Sequence, residues 1–289
     1  MKHRLIALAA TVCAAALAAP VALAYGPAAS DAVAPHYYVA LGDSLAEGYQ
    51  LNGDAGHGYA DQIYAALKSD DPTLQLENLS CGGETTSTMI NGGLPYEGRG
   101  AAYHCNYPTG SQLAEAVAFL LAHRQFVSFV TIDVGADDLG PCLAVLDFSD
   151  SCLNTYLPGV TQNLAAILAQ LHAAAGPNVP VVGMNYYDPF LGLWVFGDEP
   201  DAIASESFTV QLNEALEDAY QAAGDPVANV EDAFAATDFS NSATLPGFGT
   251  VPLNVYDACT LTWFCAVGDI HANTAGYGVI AQAFEDVLP

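Results

Sequence analysis

Short apolar runs alternate with longer amphipathic segments along most of this chain, and this alternation limits the folds that it can adopt. The predicted strands are residues 37–41, 74–79, 126–134, 179–184 and 227–230, and the predicted helices are residues 58–67, 111–124, 157 or 160 to 174, 205–223 and 274–287. Strands that alternate with helices predict an α/β fold, in which helices cover both faces of a mostly parallel sheet of about five strands.

Polar segments directly follow three of the predicted strands. Residues 42–44 read Gly-Asp-Ser, residues 80–83 read Ser-Cys-Gly-Gly, and residues 135–138 read Gly-Ala-Asp-Asp. In open α/β sheets, functional groups collect just beyond the carboxyl ends of the strands. We therefore expect these three segments to meet at one edge of the sheet and to form the functional site.

The start of the chain has the pattern of an export signal. Residues 2–4 are basic, a short apolar stretch follows, and residues 22–24 read Ala-Leu-Ala, which fits a signal-peptidase cleavage site. A membrane anchor is the weaker interpretation, because the apolar stretch is short for a span and Pro20 follows it. The sequence thus predicts a signal peptide at residues 1–24, a single domain over residues 25–289, and a secreted protein without stable membrane insertion.

Cysteine usage agrees with export. Cys13 lies in the predicted signal, which leaves an even number of six cysteines for the mature chain. In an oxidising compartment that number suggests three disulfides, for which fifteen pairings exist. The alternative is a metal site, but the chain has no Cys-x-x-Cys pair and no histidine cluster beside the cysteines. The simplest pairing makes three short loops: Cys81–Cys105, Cys142–Cys152 and Cys259–Cys265.

The charge balance excludes some partners. The whole chain has 5 Lys and Arg against 32 Asp and Glu, and removal of the signal takes away Lys2 and Arg4, which leaves a net charge of −29. Such a surface repels phosphate backbones and anionic lipid heads, so nucleic acid is not an expected partner. The acidity also fits life at high salt or at low pH, and the sequence leaves both open.

Two short segments carry the candidate chemistry. Ser44 stands on the turn after the first strand, and His271 lies in residues 268–277, which read Gly-Asp-Ile-His-Ala-Asn-Thr-Ala-Gly-Tyr just before the last predicted helix. A serine hydroxyl is a weak nucleophile near neutral pH and needs an adjacent base. We predict that Ser44 is a nucleophile and that His271 is its general base.

These segments resemble the blocks of the SGNH/GDSL hydrolase family. Residues 42–45, Gly-Asp-Ser-Leu, are similar to its serine block, and residues 268–277 are similar to its histidine block. Residues 78–86 resemble the glycine block and residues 131–139 the Gly-x-Asn-Asp block, in the family's order along the chain. The six cysteines resemble the secreted, actinobacterial-type esterase and lipase branch.

The resemblance implies a fold and a set of roles. The fold is a three-layer α/β/α, flavodoxin-like SGNH-hydrolase fold. The oxyanion hole is expected to consist of the N–H groups of Ser44 and Gly83, with Gly83 a better match than Gly82, together with the side chain at position 137. The expected activity is carboxylic ester hydrolysis through an acyl-enzyme on Ser44, without a metal or cofactor.

Position 137 departs from the family pattern, because Asp137 stands where the family has the oxyanion-hole Asn. An Asn amide donates a hydrogen bond to the oxyanion, whereas an ionised Asp only accepts and repels it. A protonated Asp can still donate. One hypothesis is therefore an enzyme that works best in acid, although acid also opposes the unprotonated state that His271 needs as a base. The competing interpretation is a catalytically impaired extracellular binding protein.

The triad acid also departs from the pattern, since Gly268 stands three residues before His271, where the family has Asp. Asp269 is the candidate in its place, and a backbone carbonyl that orients the histidine is the alternative. The remaining histidines are expected to be solvated or structural: His36, His57, His104, His123 and His172.

The substrate is expected to be a small-molecule or lipid ester, with a carbohydrate acetylester as the alternative, and the protein is expected to be a monomer. Several aromatic residues are candidates for the cleft lining, although core or loop anchors are the commoner role of such residues. The candidates are Tyr96, Tyr103, Tyr107, Tyr186, Tyr187, Phe190 and Trp194.

Overall fold

A computed structural model of the protein describes residues 34–94 and 105–289, and within them a five-stranded parallel sheet forms the centre of the fold. The strand order is β2-β1-β3-β4-β5, which is the flavodoxin-like order. The strands are β1 (His36–Gly42), β2 (Leu74–Asn78), β3 (Val127–Asp133), β4 (Val181–Met184) and β5 (Val227–Ala228). The predicted sheet is thereby confirmed, whereas the predicted signal peptide lies outside the described residues.

Helices flank this sheet in two layers. Helix α2 packs against α11, while α4 packs against α6 and α6 against α7. Right-handed crossovers place these two groups on opposite faces of the sheet. The α-helices are α1 (Ser44–Glu47), α2 (Tyr59–Lys68), α3 (Thr86–Asn91), α4 (Gln112–His123), α5 (Gly140–Leu143), α6 (Asp150–Ala175), α7 (Glu199–Ala223), α8 (Val230–Ala233), α9 (Leu253–Leu261), α10 (Phe264–Val267) and α11 (Thr274–Glu285).

The central strands are buried on both faces, as expected for a parallel sheet covered by helices. Residues 38–41 of β1 are inaccessible to solvent, and so are Val130, Ile132, Val181 and Val182 on the neighbouring strands. The apolar runs of the sequence are therefore the core of the domain, and the polar residues that follow them lie at its edge.

Two helices begin earlier than the sequence predicted. Helix α6 begins at Asp150 rather than near Leu157, and it continues through Pro158. The hydroxyl of the cap residue Ser149 accepts the N–H of Cys152, and the Cys142–Cys152 disulfide ties this first turn to α5. Helix α7 begins at Glu199 rather than Ser205, with Pro in its first turn, where a missing N–H costs little.

Two strands are shorter than predicted, and further elements were not predicted. Strand β4 begins at Val181 because Pro180 has no N–H to donate to the sheet. Strand β5 ends at Ala228 because the Asn229 side chain caps α8. The elements without a prediction include α3, the 3-10 helix Pro189–Phe196, α9, and a hairpin of β6 (Ser242–Leu245) and β7 (Gly249–Pro252).

All three predicted disulfides are present: Cys81–Cys105, Cys142–Cys152 and Cys259–Cys265. Each disulfide closes a short loop between cysteines that are close in the sequence, and this is why the simplest pairing was correct. In the described part of the chain, none of the helices combines the length and apolar character needed to span a bilayer.

The strand order also places the functional edge. β1 pairs with β2 on one side and with β3 on the other. The connection after β1 therefore leads to one side of the sheet, and the connection after β3 leads to the other. Loops diverge at such a switch point and leave a crevice at the carboxyl ends of the strands. Ser44 follows β1 and Asp137 follows β3, so both lie at this crevice.

Candidate active site

Ser44 is held in a tight turn at the end of β1. It is the first residue of α1, and the preceding Asp43 caps that helix by accepting the N–H of Leu45 at 2.8 Å. Gln112 holds the backbone before the turn, since its Oε1 accepts the N–H of Gly42 at 2.7 Å and its Nε2 donates to the Gly42 carbonyl at 2.9 Å. The turn is thus fixed from both sides.

His271 and Asp269 lie opposite the serine in the loop before α11. His271 Nε2 is 2.8 Å from Ser44 Oγ, and His271 Nδ1 is 2.8 Å from Asp269 Oδ1. The backbone N–H of His271 donates to the same carboxylate oxygen at 3.0 Å. Burial raises the pKa of Asp269, but these hydrogen bonds outweigh it, so the pKa lies below its usual value and Asp269 is ionised.

Several contacts hold the histidine loop in position. The backbone N–H of Trp263 donates to the His271 carbonyl at 2.9 Å, within the segment closed by the Cys259–Cys265 disulfide. The Tyr187 hydroxyl donates to the Ile270 carbonyl at 2.9 Å. The Tyr49 ring packs on the imidazole with 4.5 Å between ring centroids. The imidazole is therefore in contact with a tilted aromatic ring, and its loop is held through the backbone at residues 270 and 271.

The glycine pair lies beside the serine. A Cβ placed on Gly82 would be 3.6 Å from Ser44 Cβ, and the N–H of Gly82 donates to Glu47 Oε2 at 2.8 Å. Gly83 adopts φ +81°, which favours glycine, and its N–H has no acceptor among residues 34–94 and 105–289. Of the two N–H groups, that of Gly83 is the one available to a ligand.

Asp137 lines the same cleft as Ser44 and His271. The cleft removes water from its carboxyl group, and this desolvation, with the charge of Asp43, raises the pKa of Asp137 to about 8. No hydrogen bond from the described ranges contributes to this pKa, which is set by burial and by neighbouring charges. A neutral carboxyl group that faces a cleft is able to donate a hydrogen bond there.

The cleft beside the serine is mostly apolar. Its free volume, including the open mouth, is about 630 Å³. The hydroxyls of its two tyrosines are already engaged, since Tyr186 donates to Asp43 at 3.1 Å and Tyr187 donates to a backbone carbonyl. The apolar lining consists of Leu45, Ala136, Leu139, Leu143, Tyr186, Tyr187, Pro189, Phe190, Phe208, Leu212 and Ile270.

The aromatic candidates from the sequence are divided by the structure. Tyr186, Tyr187 and Phe190 line the cleft. Tyr107 packs beside the Cys81–Cys105 disulfide, and Trp194 packs near Phe239 and the β6–β7 hairpin, away from the cleft. Tyr96 and Tyr103 lie outside the described residues.

Four histidines lie away from the serine, and each has a local partner. His36, His57 and His172 bond to Asp71, Asp54 and Asp225, and His123 bonds to the Phe119 carbonyl. His104 is outside the described residues.

Three supporting residues were missed by the sequence reasoning: Glu47, Gln112 and Asp138. The Asp138 carboxylate accepts both the N–H and the hydroxyl of Thr86 at 2.7 Å, which ties the segment after β3 to the glycine segment. Glu47 lies three residues after Ser44 and Asp138 directly follows Asp137, so proximity to the motifs was the available signal. Gln112 had none, since it resembles any polar residue at the start of a helix.

The arrangement allows serine activation. A hydroxyl that is hydrogen-bonded to an imidazole, which is itself hydrogen-bonded to a carboxylate, is the general pattern of nucleophile, base and orienting acid. The pattern is defined by these contacts and not by the order of the residues along a chain.

Comparisons with known proteins were made at the levels of sequence and structure. A sequence model of the GDSL-like Lipase/Acylhydrolase family matches residues 40–279, which is most of the chain. No curated protein matches the chain.

Several solved structures share the fold. The lipase Lip_vut3 from a goat rumen metagenome superposes with a TM-score of 0.57 at 16% identity, over 87% of this chain and 96% of that one. An extracellular lipase from Streptomyces rimosus gives 0.53 at 17% identity, over 87% and 99%. The acetylxylan esterase Axe2 from Geobacillus stearothermophilus gives 0.54 at 13% identity, over 88% and 94%. At these identities the likeness establishes the fold alone.

Proposed function

The chain belongs to the GDSL-like lipase/acylhydrolase family and is a carboxylic ester hydrolase, and we propose that Ser44, His271 and Asp269 are its catalytic residues. The observation that carries this proposal is the hydrogen-bonded series Asp269–His271–Ser44 at the mouth of the apolar cleft. The series supplies a nucleophile, a base and an orienting carboxylate in contact with a space that an ester can enter.

In the proposed reaction, Ser44 Oγ attacks the ester carbonyl carbon while His271 Nε2 takes the hydroxyl proton. Collapse of the tetrahedral intermediate breaks the C–O bond, and His271 passes the proton to the leaving alcohol. Water then attacks the acyl-enzyme with His271 again acting as base, which releases the acid and restores Ser44. Asp269 stays ionised and stabilises the imidazolium that forms in each half-reaction.

The proposed oxyanion hole combines the N–H groups of Ser44 and Gly83 with the hydroxyl of a protonated Asp137. Asp137 supports this role because its pKa is raised to about 8, which keeps the carboxyl neutral at neutral pH and not only in acid. The requirement for a protonated Asp137 then does not conflict with a histidine that has to be unprotonated. We accordingly propose activity at neutral pH that falls above about pH 8, where Asp137 ionises.

Asp137 should therefore set the alkaline limit of activity. Each pH unit above about 8 lowers the protonated fraction of Asp137 about tenfold, and the rate falls with it. The total loss is limited to the 100- to 1,000-fold that is typical of a missing oxyanion donor. The change to test is Asp137→Asn, whose amide donates at every pH. We expect kcat/KM of the two proteins to agree within about threefold near pH 6.5 and to differ more than tenfold near pH 9.5.

The measurement is pH-stat titration of an alkyl ester that is stable in alkali, with Asp218→Asn as the control, because Asp218 is exposed on α7. If the ratio of kcat/KM between Asp137→Asn and wild type stays constant from pH 6.5 to 9.5, Asp137 does not act as a neutral donor.

The apolar cleft supports esters of aliphatic acids rather than acetylated carbohydrates. Sugar hydroxyls would meet a lining that is mostly apolar and whose tyrosine hydroxyls already have partners. Each methylene buried in such a cleft contributes about 0.8 kcal/mol. The proposed substrate class is therefore an ester with an acyl chain longer than acetyl.

The acyl preference gives a second test. We expect kcat/KM to rise up to about fourfold per added methylene from acetate until the cleft is filled. Leu143→Trp should narrow the cleft and lower kcat/KM for an octanoate ester about tenfold, while acetate hydrolysis changes little. Val145→Trp is the matched control, because Val145 lies two residues further along and is 72% exposed. Preference for acetate in the wild type would favour the carbohydrate acetylesterase instead.

We further propose that the protein is exported and acts as an extracellular monomer. The predicted signal at residues 1–24 supports export, and so do the three disulfides, which persist in oxidising compartments. Mass spectrometry of the mature protein from a culture supernatant tests the cleavage after Ala24, and sedimentation tests the monomer.

A further inference from the structure

Two carboxyl groups lie buried directly behind the turn that carries Ser44. Asp133 is the last residue of β3 and pairs in register with Gly42, while Asp43 follows Gly42. Asp133 is 0% exposed and Asp43 is 2% exposed. A Cβ on Gly42 would lie only 2.0 Å from Asp133 Oδ1, so a glycine at this position is what allows the Asp133 side chain to fit beneath the turn.

Neutral donors satisfy only part of this pair. The Tyr59 hydroxyl donates to Asp133 Oδ1 at 2.7 Å, and Asp43 accepts the Leu45 N–H and the Tyr186 hydroxyl. Asp133 Oδ2 is buried and receives no hydrogen bond from a donor in the described parts of the chain. The Asp43 carboxyl and the backbone N–H groups of Asp43 and Ala46 are the other polar groups close to the Asp133 carboxyl. A proton on one carboxyl would give the pair the donor that it lacks.

Among the described residues, no lysine or arginine compensates this pair. Lys68 donates to the Leu74 carbonyl, and Arg124 donates to the carbonyls of Ala173 and Ala175. The titratable groups around the pair are six tyrosines, one further carboxyl group and the histidine of the cleft: Tyr38, Tyr59, Tyr186, Tyr187, Tyr220, Tyr277, Asp137 and His271. Two adjacent buried carboxylates without a cation cannot both ionise easily.

We propose that Asp43 and Asp133 share one proton at neutral pH, and that Asp133 is a positioning residue whose hydrogen bond to Asp43 holds the turn that presents Ser44. The positioning role rests on the proposed function of Ser44, whereas the shared proton does not. Asp43 is the cap of α1, so a displacement of its side chain moves the first helical residue, which is Ser44 itself. Reactivity depends on ångström-scale placement of the nucleophile, so this hydrogen bond affects the rate without touching substrate.

The electrostatics support this proposal. Burial raises the pKa of Asp133 to about 7, with hydrogen bonds from Asp43 and Tyr59 partly offsetting it. Burial and then the neighbouring Asp133 charge raise the pKa of Asp43 well above its usual value. The folded protein thus binds the shared proton more tightly than the unfolded chain, whose carboxyls titrate near pH 4. The associated stability is complete in acid and is lost as the pH rises through about 7.

The first test is spectroscopic. Infrared spectra of the whole mature protein in D₂O at neutral pD should contain C=O absorption from protonated carboxylic acids, to which Asp137 also contributes. Asp133→Asn should remove one component of this absorption, and that component should remain in Asp137→Asn. The denaturant midpoint of the wild type should fall between about pH 4 and 7, and the Asn variant should fall less. Asp188→Asn is the matched control for kcat, since burial also raises the pKa of Asp188 to about 7 but its carboxyl is bonded to Ser205 and not to a second carboxyl. In the infrared spectrum it should remove its own C=O component and leave the component that Asp133→Asn removes. If Asp133→Asn leaves both the C=O absorption and the midpoint profile unchanged, the pair does not hold a proton.

The second test separates positioning from stability. Both Asp133 variants are made in the Asp137→Asn parent, which removes the titration of Asp137. We expect Asp133→Asn to keep kcat within about threefold, because its amide still donates to Asp43, and Asp133→Ala to lower kcat about tenfold with little change in KM. Asp188→Asn should leave the pH profile of kcat unchanged.

Equal kcat for the Ala and Asn variants would overturn the positioning role. If Asp133→Ala does not fold, the pH dependence of kcat decides. Loss of the shared proton in alkali should lower kcat of the Asp137→Asn parent, whereas Asp133→Asn in that parent should not show this fall, because its amide does not titrate. The infrared and midpoint results do not depend on Ser44 and therefore test the shared proton alone. A failure of the proposed function would be seen separately, as esterase activity that remains in Ser44→Ala.

Discussion

Replacing Ser44 by alanine should lower kcat/KM for a p-nitrophenyl ester by about 10⁶-fold, to the level that binding and the oxyanion donors alone provide. The reason is that Ser44 Oγ is the only atom of the proposed series that forms a bond to the substrate. His271→Ala should cost about as much, because the hydroxyl 2.8 Å from its Nε2 then has no base. The double variant should be no slower than either single variant, since the two residues act as one unit.

This result needs a matched control and an independent label. Ser80→Ala replaces a buried serine that follows β2 and bonds to Asn78, and it should remain within about threefold of wild type. A fluorophosphonate should add to Ser44 of the wild type and to no residue of Ser44→Ala, as read by peptide mass spectrometry. Substantial esterase activity in Ser44→Ala, or labelling elsewhere, would remove Ser44 from the mechanism.

Asp269→Asn should be the next most severe change, with a loss of about 10³- to 10⁴-fold in kcat near neutral pH. The Asp269 carboxylate accepts the proton on His271 Nδ1, which leaves Nε2 free to take the proton of Ser44. An asparagine can present its NH₂ group to Nδ1 instead. The ring proton then sits on Nε2, facing Ser44, where it prevents the imidazole from acting as a base.

The measurement is kcat against pH with the same ester, and circular dichroism verifies the fold. Asp257→Asn is the matched control, because Asp257 is half-buried on α9 and has no hydrogen bond to His271. Activity of Asp269→Asn within about tenfold of wild type would mean that another group, such as a backbone carbonyl, orients His271.

Local signals in the sequence were sufficient for much of the fold. The β-branched run at residues 126–134 became the central strand β3, and Ser111 caps α4 as its position before an apolar periodic segment predicted. The disulfides followed the same logic, because short loops bring cysteines together without help from the rest of the chain. Boundaries failed where distant contacts decide, as at α6, which begins at a disulfide-tied turn and passes through Pro158.

The candidate site divides in a similar way. Ser44, His271, Asp137 and Gly83 were identified from motifs that follow strands or precede a helix. Gln112 and Asp133 belong to no recognisable motif. Their importance comes from contact with the backbone of Gly42, which is 70 residues away from Gln112 in the sequence. A polar residue at a helix start and an acid at a strand end are common, so only their neighbours in space distinguish these two.

The sequence by itself determined the five strands of the sheet, the longer helices between them, and which side chains stand at the strand ends, because these depend on residues within a few positions of one another. Only the tertiary structure decided that Ser44 and His271, 227 residues apart, are in hydrogen-bonding contact, and that Asp137 and the Asp43–Asp133 pair are desolvated. Distances across a sheet and the pKa values of buried carboxyls are set by packing between remote segments and by the exclusion of water, which no local pattern encodes.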